Sequence, residues 1–278
     1  MSNTFKPYHM NVTPDDLIGN QTIGRYLFLP GSNGRAKEIA EQFEQVSVKT
    51  HPRGHHLYTG ILNDNGRHID VAVMPTGMGC GSMEIILHEL LMLGGRRFLR
   101  VGTAGSLQPE LIKIGDLINT QASVRDEATT LDYAPLGVPA VASIEMIEAI
   151  SQAAKNVKLQ SRLFTGTVHC KSSFYAREFG EGPKHDENEH YIKLLTNCNV
   201  LATEMETATL FIQSQVFEHQ LMKDGGGKSR RVIAGALLGI LSDSHQRLAD
   251  SQESKMTTER LITVAIETIK VLSANEMK

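Results

Sequence analysis

The stretch that decides the fold is YLFLPGSNGRAKEIA, residues 26–40. Tyr26–Leu29 is a run of large apolar residues that predicts a buried strand, and a glycine turn and a helix from about Ala36 follow it. The free backbone N–H groups at the start of such a helix form an anion site. Arg35 would lie in the first turn, where a cation opposes the helix dipole unless an anion lies between them. A solvated Arg35 on a surface turn is the alternative.

The same alternation of apolar runs and helical patterns continues along the chain. Further strands are predicted at Ile69–Met74, Phe98–Val101, Asp116–Val124, Leu163–Val168, Asn199–Ala202 and Val232–Leu241. Helices are predicted at Glu84–Leu93, Ile144–Ala154 and Thr207–Gln215, and a last helix carries Leu272 on its apolar face. We expect one α/β domain over residues 1–278, with helices on both faces of a sheet. The polar stretches 180–190, 223–231 and 242–255 are predicted surface loops.

The composition excludes several classes of partner. The 278 residues carry a net charge of −3 and no tryptophan, so neither a basic field nor an aromatic platform for nucleic acid is expected. No apolar run is long enough for a transmembrane helix, and residues 1–16 do not resemble a secretory signal. The three cysteines are widely spaced and odd in number, which suits a reducing compartment. We expect a cytoplasmic protein that binds neither nucleic acid nor membrane.

A second candidate for an anion site is FLRVGTAGS, residues 98–106. Arg100 stands inside an apolar strand, and a buried guanidinium needs an anionic partner. The strand is expected to open into a loop of small residues that contains Thr103, where ligands of open α/β sheets bind. A phosphate held by Arg100 and Thr103 would fit. The alternative is an internal salt bridge, for which the candidate carboxylates are Glu84, Glu89 and Asp116.

Two further motifs indicate neither a dinucleotide nor a metal. The glycines of TGMGCGS, residues 76–82, are spaced G-x-G-x-G, which differs from the dinucleotide fingerprint, and close packing of backbone near a ligand explains them better. The histidines of HPRGHH, residues 51–56, are interrupted by Pro52 and Gly54, and an exposed turn is the simpler interpretation.

The stretch LATEMETATLF, residues 201–211, contains two glutamates beside an apolar run. Thr203 and Glu206 match the T-x-x-E capping box of a helix N-terminus, in which Thr203 caps the helix and Glu206 reaches back to the backbone. A role of Glu206 in binding substrate is the alternative. Glu204 is expected to have a supporting role.

Five ordered motifs together resemble the nucleoside phosphorylase I family. They are GSNGRAKEIA, TGMGCGSMEIILHEL, RVGTAGSLQPELIKIGD, SVRDEATTLDYAPLGVPAVA and ATEMETATLF, and the resemblance covers nearly the whole chain. It implies a three-layer phosphorylase/hydrolase-like α/β fold around a twisted mixed sheet. It also implies reversible phosphorolysis, in which a nucleoside and inorganic phosphate give ribose 1-phosphate and a free base. The SVR…PAVA segment is more similar to the members that cleave uridine than to those that cleave purine nucleosides.

The resemblance also implies the site residues. The phosphate site would contain Gly31, Arg35, Arg100 and Thr103, with Arg53 lent by a neighbouring subunit. The ribose site would contain Met205 and Glu206, with His9 lent by a neighbour, and Glu206 would turn toward the pocket while Thr203 still starts the helix. The base site would contain Phe174, Arg177 and Glu178. The main catalytic groups would be Arg100, Thr103, Glu206 and Asp243, and no metal or cofactor is required.

Three departures from the family pattern leave the identity of the base undecided. The segment FYAREFGEG does not reproduce the Gln-x-Arg motif that reads uracil, although Arg177 and Glu178 are present. Ser242-Asp243 is similar to the Ser-Asp of purine phosphorylases, in which the aspartate protonates the base. Gly54 follows Arg53 where bacterial members have a glutamate linked to a monovalent cation, which argues against a potassium site. The alternatives are a purine nucleoside phosphorylase, a hydrolytic nucleosidase and a non-catalytic nucleoside-binding protein.

The site is expected to be shared between subunits. His9 and Arg53 are implied to act in a neighbour's pocket, so the smallest assembly is an isologous dimer, and a hexamer built from dimers is the larger alternative.

Overall fold

The computed structural model describes residues 5–223, 231–243 and 247–277. The strands are β1 (Tyr26–Pro30), β2 (Glu44–Lys49), β3 (Leu57–Asp64), β4 (Arg67–Val73), β5 (Arg97–Ser106), β6 (Leu117–Asp126), β7 (Ala140–Val141), β8 (Leu163–Lys171), β9 (Ala202–Glu204) and β10 (Ile233–Asp243). The helices are α1 (Asn33–Ala40), α2 (Cys80–Met92), α3 (Ile144–Asn156), α4 (Phe174–Phe179), α5 (His185–Asn197), α6 (Thr207–Lys223) and α7 (Ser251–Glu276).

The strands form one mixed sheet that closes on itself at one end. Its order is β2–β3–β4–β1–β5–β9–β8–β6–β10, and β10 also pairs with β5. Strands β5, β9, β8, β6 and β10 therefore form a closed ring, from which β1, β4, β3 and β2 extend as an open sheet. The short strand β7 pairs with β6.

The core lies on both faces of this sheet, and β1 shows how it is divided. Leu27 and Leu29 pack in a cluster with residues of α2 and α6, whereas Tyr26 and Phe28 pack in a second cluster with residues of α1, α3 and α7. This division follows from the strand period of two, which sends alternate side chains to opposite faces. The predicted α/β architecture with helices on both faces is thus confirmed.

Several boundaries differ from the sequence prediction. The GTAGS segment was expected to be a loop but continues β5 as far as Ser106, because it pairs with β10 along its whole length. The hairpin of β2 and β3 was not predicted. The polar stretch 180–190 is a loop only in part, since α5 begins at His185.

The other two predicted loops are described only in part. Within 242–255, β10 includes Ser242 and Asp243 and α7 begins at Ser251, while 244–246 lie outside the described residues. Most of the predicted loop 223–231 also lies outside them. None of the helices in the described ranges is both long enough and apolar enough to cross a membrane.

Candidate active site

A pocket of about 390 Å³ opens where strands from both parts of the sheet end. Gly31 follows β1, Thr103 and Gly105 belong to β5, and Lys171 and Glu204 are the last residues of β8 and β9. The other lining residues are Ser32, Arg35, Met78, Arg100, Ala104, Phe174, Glu178, Thr203, Met205, Glu206, Leu241, Ser242 and Leu248. The pocket therefore combines an arginine-rich side with a side formed by an aromatic ring, a lysine and carboxylates.

The arginine-rich side brings together four of the residues predicted for phosphate. Gly31, Arg35, Arg100 and Thr103 all line it. Burial, and then the positive charge of Arg100, lower the pKa of the Arg35 guanidinium, so two like charges are held close together. Within the described residues, the buried Nε atoms of both arginines have no hydrogen-bond partner. This side of the pocket can accept an anion.

Arg100 has carboxylate partners, but they are not the ones considered from the sequence. Its Nη2 forms a salt bridge with Glu206, and its Nε lies 3.9 Å from Glu204 Oε2. The predicted partners are wrong because β9 pairs with β5, which places Glu204 and Glu206 beside Arg100. The three candidate carboxylates, on α2 and just before β6, have other partners. Glu84 accepts a hydrogen bond from Tyr133, Glu89 accepts one from His9, and Asp116 pairs with Arg162.

Glu206 is fixed from two directions and faces the pocket. Its Oε2 contacts Arg100, and its Oε1 accepts a hydrogen bond of 2.7 Å from the backbone N–H of Gly79. Gly79 has a φ of 83° and immediately precedes α2, so the TGMGCGS segment contributes a backbone donor to the site. The expectation that Glu206 turns toward the pocket agrees with this position.

The helix N-terminus beside Glu206 is satisfied by Glu204, and the predicted cap by Thr203 is wrong. Glu204 accepts hydrogen bonds from the backbone N–H groups of Glu206 at 2.8 Å and Thr207 at 3.0 Å, and from the Thr207 hydroxyl at 2.5 Å. Thr203 is committed to β9, so it cannot lie at the cap. Burial and the charge of Glu206 raise the pKa of Glu204, while Arg100 opposes this shift.

The pocket lining also contains Phe174 and Glu178, which were predicted to bind the base. Both belong to α4, and Phe174 is 39% exposed. The carboxylate of Glu178 accepts a hydrogen bond from Ser242 at 3.2 Å and pairs with the ammonium of Lys171 at 2.9 Å. A Cβ atom at Gly105 would lie 2.6 Å from Glu178 Oε1, so glycine at this position makes room for the carboxylate.

Arg177, also predicted for the base, is not among the residues that line the pocket. Its Nε lies 2.8 Å from Asp126, its Nη1 donates to Asn188 at 2.7 Å, and its guanidinium stacks 4.4 Å from the centre of the Tyr191 ring. Because α4 turns successive side chains by about 100°, Arg177 and Glu178 point in different directions.

Asp243 lies next to the pocket but outside its lining. Its Oδ1 accepts a hydrogen bond of 3.1 Å from the backbone N–H of Arg247. It faces a separate small cavity that Glu178 and Thr203 also line.

The two residues predicted to be lent to a neighbour lie together on the protein surface and away from this chain's own pocket. Tyr8 connects them, since its ring lies 5.0 Å from the His9 ring and the Arg53 guanidinium lies over it at 5.9 Å. The backbone and Nδ1 of His9 are held by Glu89. His9 and Arg53 therefore occupy one surface.

Residues 51–56 form a turn, as expected, but its three histidines are half-buried and not exposed. His56 Nδ1 accepts a hydrogen bond from the His51 backbone, His55 contacts the Pro75 carbonyl, and Gly54 has a φ of 81°. In the described ranges, no group of three or more histidine, cysteine or acidic side chains is arranged to hold a metal ion.

The Gly79 N–H and Lys171 are among the contributors to the pocket that the sequence did not predict. The glycines of TGMGCGS indicated that backbone lies close to a ligand, but the contact of the Gly79 N–H with Glu206 is tertiary and was not predicted. Lys171 carried a weak signal, because it is a cation three residues beyond the predicted strand Leu163–Val168 and three residues before the predicted aromatic Phe174.

The fold and this pocket define an α/β protein in which two arginines and a buried carboxylate line one pocket. A family model described as the phosphorylase superfamily matches residues 25–273. The uridine phosphorylase of Treponema pallidum (strain Nichols) is 33% identical over 267 residues, which cover 95% of this chain and 93% of the relative. The chain belongs to the phosphorylase superfamily.

Other relatives and a solved structure agree with this assignment. The uridine phosphorylase of Haemophilus influenzae is 28% identical over 95% of this chain and 98% of the relative. The guanosine phosphorylase of Halorubrum lacusprofundi is 25% identical over 93% of this chain and 98% of the relative. The crystal structure of uridine phosphorylase from Vibrio fischeri ES114 shares the fold, with a TM-score of 0.76 at 23% identity, and covers 98% of this chain and 99% of that one.

Proposed function

We propose that this chain is a nucleoside phosphorylase that catalyses the reversible phosphorolysis of uridine to ribose 1-phosphate and uracil. This is a pentosyl transfer to inorganic phosphate, which makes the chain a glycosyltransferase. Relatives named uridine phosphorylase, which align over at least nine-tenths of the chain, support the assignment. We also propose that residues 1–278 form a single nucleoside phosphorylase domain.

The observation that carries the proposal is the pair of arginines beside a carboxylate. Arg35 and Arg100 hold two positive charges in one pocket, and only Arg100 has a salt bridge among the described residues. Holding two cations close together is unfavourable unless an anion binds between them. A phosphate dianion there would satisfy the buried Nε atoms, and Thr103 and Gly31 complete the lining around it.

The same pocket provides for the sugar. Glu206 is a hydrogen-bond acceptor for the ribose hydroxyls, and the Met205 side chain supplies an apolar wall beside the ring. As the bond between C1′ and the base nitrogen breaks, its electron pair goes to the base and the ribose gains oxocarbenium character. The negative charges of Glu206 and of the bound phosphate stabilise this cation, and a phosphate oxygen then bonds to C1′. Catalysis rests mainly on positioning and on electrostatic stabilisation.

We propose that the active enzyme is a homo-oligomer with shared sites, at least a dimer. The position of His9 and Arg53 on one surface around Tyr8 supports this, since both can enter a neighbour's pocket together. Arg53 would add a third cation to the phosphate site, and His9 would contact the ribose. We also propose a cytoplasmic role in nucleotide salvage, which the three free cysteines suit.

The second candidate is a purine nucleoside phosphorylase. A guanosine phosphorylase among the relatives favours it, as does Ser242 on the pocket wall next to Asp243. Against it, Asp243 is not part of the pocket lining and is bonded to the Arg247 backbone.

One assay separates these candidates. Purified enzyme is incubated with uridine, inosine, guanosine or adenosine, with and without inorganic phosphate, and free base and ribose 1-phosphate are measured. We expect uridine to be cleaved fastest, with phosphate consumed in equal amount. Equal cleavage without phosphate would identify a hydrolase, faster cleavage of a purine nucleoside would identify a purine phosphorylase, and binding without turnover would identify a nucleoside-binding protein.

A further inference from the structure

Lys171 is a buried cation in the wall of the pocket. It ends β8, its side chain is 1% exposed, and it lies beside Phe174, Glu178 and Thr203. Its Nζ pairs with Glu178 at 2.9 Å, donates to Thr203 Oγ1 at 2.9 Å, and lies 5.7 Å from the centre of the Phe174 ring. An ammonium has three N–H donors, and these contacts with described residues use two of them.

Stability alone does not explain this ion pair. A buried lysine–glutamate pair contributes little or nothing net to folding compared with apolar residues of the same size, because both charges are removed from water. The pair does, however, present a donor and an acceptor side by side on the pocket wall. Glu178 retains lone pairs, since each carboxylate oxygen accepts more than one hydrogen bond. The pair can therefore contact a bound molecule without separating.

A directed chain of hydrogen bonds holds Lys171 in place. Asp126 can only accept, so the contact of 2.9 Å with His169 Nε2 puts the ring proton on that nitrogen. His169 Nδ1 is then an acceptor, and it receives the single proton of the Thr203 hydroxyl at 3.0 Å. The Thr203 oxygen is left to accept from Lys171. Arg177 completes the chain from outside the pocket by pairing with Asp126, so it is a positioning residue.

The position of Lys171 matches the needs of the leaving base. Phe174 is the residue proposed to pack on the base, and Lys171 lies beside that ring in the same pocket as Arg35 and Arg100. A departing uracil takes the electron pair of the broken bond and spreads its negative charge onto its carbonyl oxygens. A buried ammonium that donates to such an oxygen stabilises this charge as it develops.

We infer that Lys171 and Glu178 together read a ring N–H that lies next to a carbonyl oxygen, and that Lys171 is a catalytic residue that stabilises the anionic leaving base. This inference rests on the proposed function. Uracil has that edge, with the N3–H facing Glu178 and a carbonyl oxygen facing Lys171. Guanine and hypoxanthine also have it. Cytosine and adenine do not, because their ring nitrogen is an acceptor and would meet a carboxylate.

The chain offers a matched pair of variants for the test. Lys171→Met keeps an unbranched side chain of similar length but removes the charge, and Lys171→Arg restores it. Lys171→Met/Glu178→Gln removes both charges and leaves no buried unpaired carboxylate. This double variant should therefore fold even if Lys171→Met does not. Lys184→Met is the control, because Lys184 forms an exposed pair with Glu187 at 3.1 Å.

The main readout is turnover of uridines whose bases differ in acidity, such as 5-fluorouridine, uridine and 5-methyluridine. We expect Lys171→Met to lower kcat for uridine by about 10- to 100-fold, the loss typical of one charge-assisted hydrogen bond. The loss should be smallest for 5-fluorouridine, whose leaving base needs the least help, and Lys171→Arg should recover part of it. Equal losses for all three substrates would overturn the catalytic role.

A second readout does not depend on uridine turnover. Calorimetric titration with uracil and cytosine, at saturating phosphate, should show that the wild type prefers uracil by at least about 10-fold and that the double variant loses this preference. A wild type that binds both bases equally, or neither, overturns the inference. If the wild type cleaves guanosine and not uridine, the proposed substrate is wrong, whereas a preference for guanosine over adenosine that depends on Lys171 still supports the inference.

Discussion

Arg35 and Arg100 face the same pocket with like charges, and Arg100 has a carboxylate partner while the buried Nε of Arg35 has no hydrogen-bond partner in the described part of the chain. Burial, and then the positive charge of Arg100, lower the pKa of Arg35, so repulsion between the two guanidinium groups accounts for part of this shift. An anion that binds between them removes this cost. We therefore expect the folded protein to become more stable when phosphate binds at this site.

Inorganic phosphate should raise the melting temperature of the wild type, and Arg35→Gln should remove most of that rise. A ligand that binds the folded state stabilises it by about 2.7 kcal/mol at a concentration 100 times its Kd. Differential scanning calorimetry over a series of phosphate concentrations gives the measurement. Lys37→Gln, on the exposed face of α1, is the control and should keep the full rise. An unchanged rise in Arg35→Gln contradicts the assignment of Arg35.

Glu206→Gln should bind phosphate more tightly and turn over more slowly. Glu206 competes with phosphate for the Arg100 guanidinium, so a neutral amide leaves more of the cation to the anion. The same change removes the negative charge that stabilises the sugar, and we expect kcat to fall by about 100-fold or more. Calorimetric titration and initial rates test the two parts, with Glu187→Gln on the surface as control. Weaker phosphate binding would show that Glu206 acts mainly by holding Arg100 in place.

Gly105→Ala should raise the KM for nucleoside and leave the KM for phosphate nearly unchanged. The added Cβ would lie 2.6 Å from both Glu178 Oε1 and Ser242 Oγ, so the base side of the pocket must shift. None of the atoms that the new Cβ would meet belongs to Gly31, Arg35, Arg100 or Thr103, the residues proposed to bind phosphate. Steady-state kinetics with each substrate varied in turn gives the comparison. Gly137→Ala, where the new Cβ has no neighbour within 4 Å, should leave both constants as they are.

The protein should lose stability as the pH falls below 6.5, in part through His169. Burial lowers the pKa of His169 from its ordinary value of 6.5, although the Asp126 hydrogen bond opposes this. Between the two pKa values the unfolded chain binds more protons than the folded one, so stability increases with pH there. We expect the melting temperature to change less between pH 7.5 and 5.5 in His169→Gln than in the wild type. His219→Gln, at an exposed position, should follow the wild type.

Co-expression of two inactive variants should restore activity if subunits share their sites. Arg53→Ala removes the arginine that a subunit contributes to its neighbour's pocket, and Glu206→Gln inactivates the subunit's own pocket. In a mixed dimer one of the two sites has neither change, so equal expression should give about a quarter of wild-type activity. Arg35→Gln with Glu206→Gln is the matched control, because both changes lie in one pocket and should give no recovery. Activity no higher than that of the separate variants contradicts shared sites.

The local pattern of apolar residues predicted those strands and helices whose side chains follow a single strand or helix period. The strand at Tyr26–Leu29 and the helix at Ile144–Ala154 agree with β1 and α3 almost residue for residue. The strand at GTAGS was missed because Gly102 and Gly105 have low strand propensity. Their glycines serve close approach, since a Cβ at Gly102 would lie 2.8 Å from the Leu238 side chain on the neighbouring strand. Such contacts between strands are not visible along the chain.

The sequence predicted those pocket residues whose charge is unfavourable in their local surroundings. Arg100 in an apolar strand and Arg35 at a helix start both indicated an anion. Lys171 showed no such conflict, because a lysine at the end of a strand is usually exposed. Its burial follows from the position of β8 between β6 and β9 inside the closed ring. Thr203 was wrongly assigned to a helix cap because its place in a strand also depends on tertiary contacts. Only the pairing of β9 with β5 and β8 fixes it there.

The closed ring of strands also bears on aggregation. Because β10 returns to β5, the long described strands of that half have no free edge to recruit another chain. The open half ends at β2, which is short and exposes Val46 and Val48. Its pairing with β3 is interrupted between Glu44 and Ser47, where Gln45 has a φ of 54°. An irregular, charged edge is a poor template for strand addition. Fibril-like association through a free edge is therefore limited to β2, whose irregular pairing disfavours it.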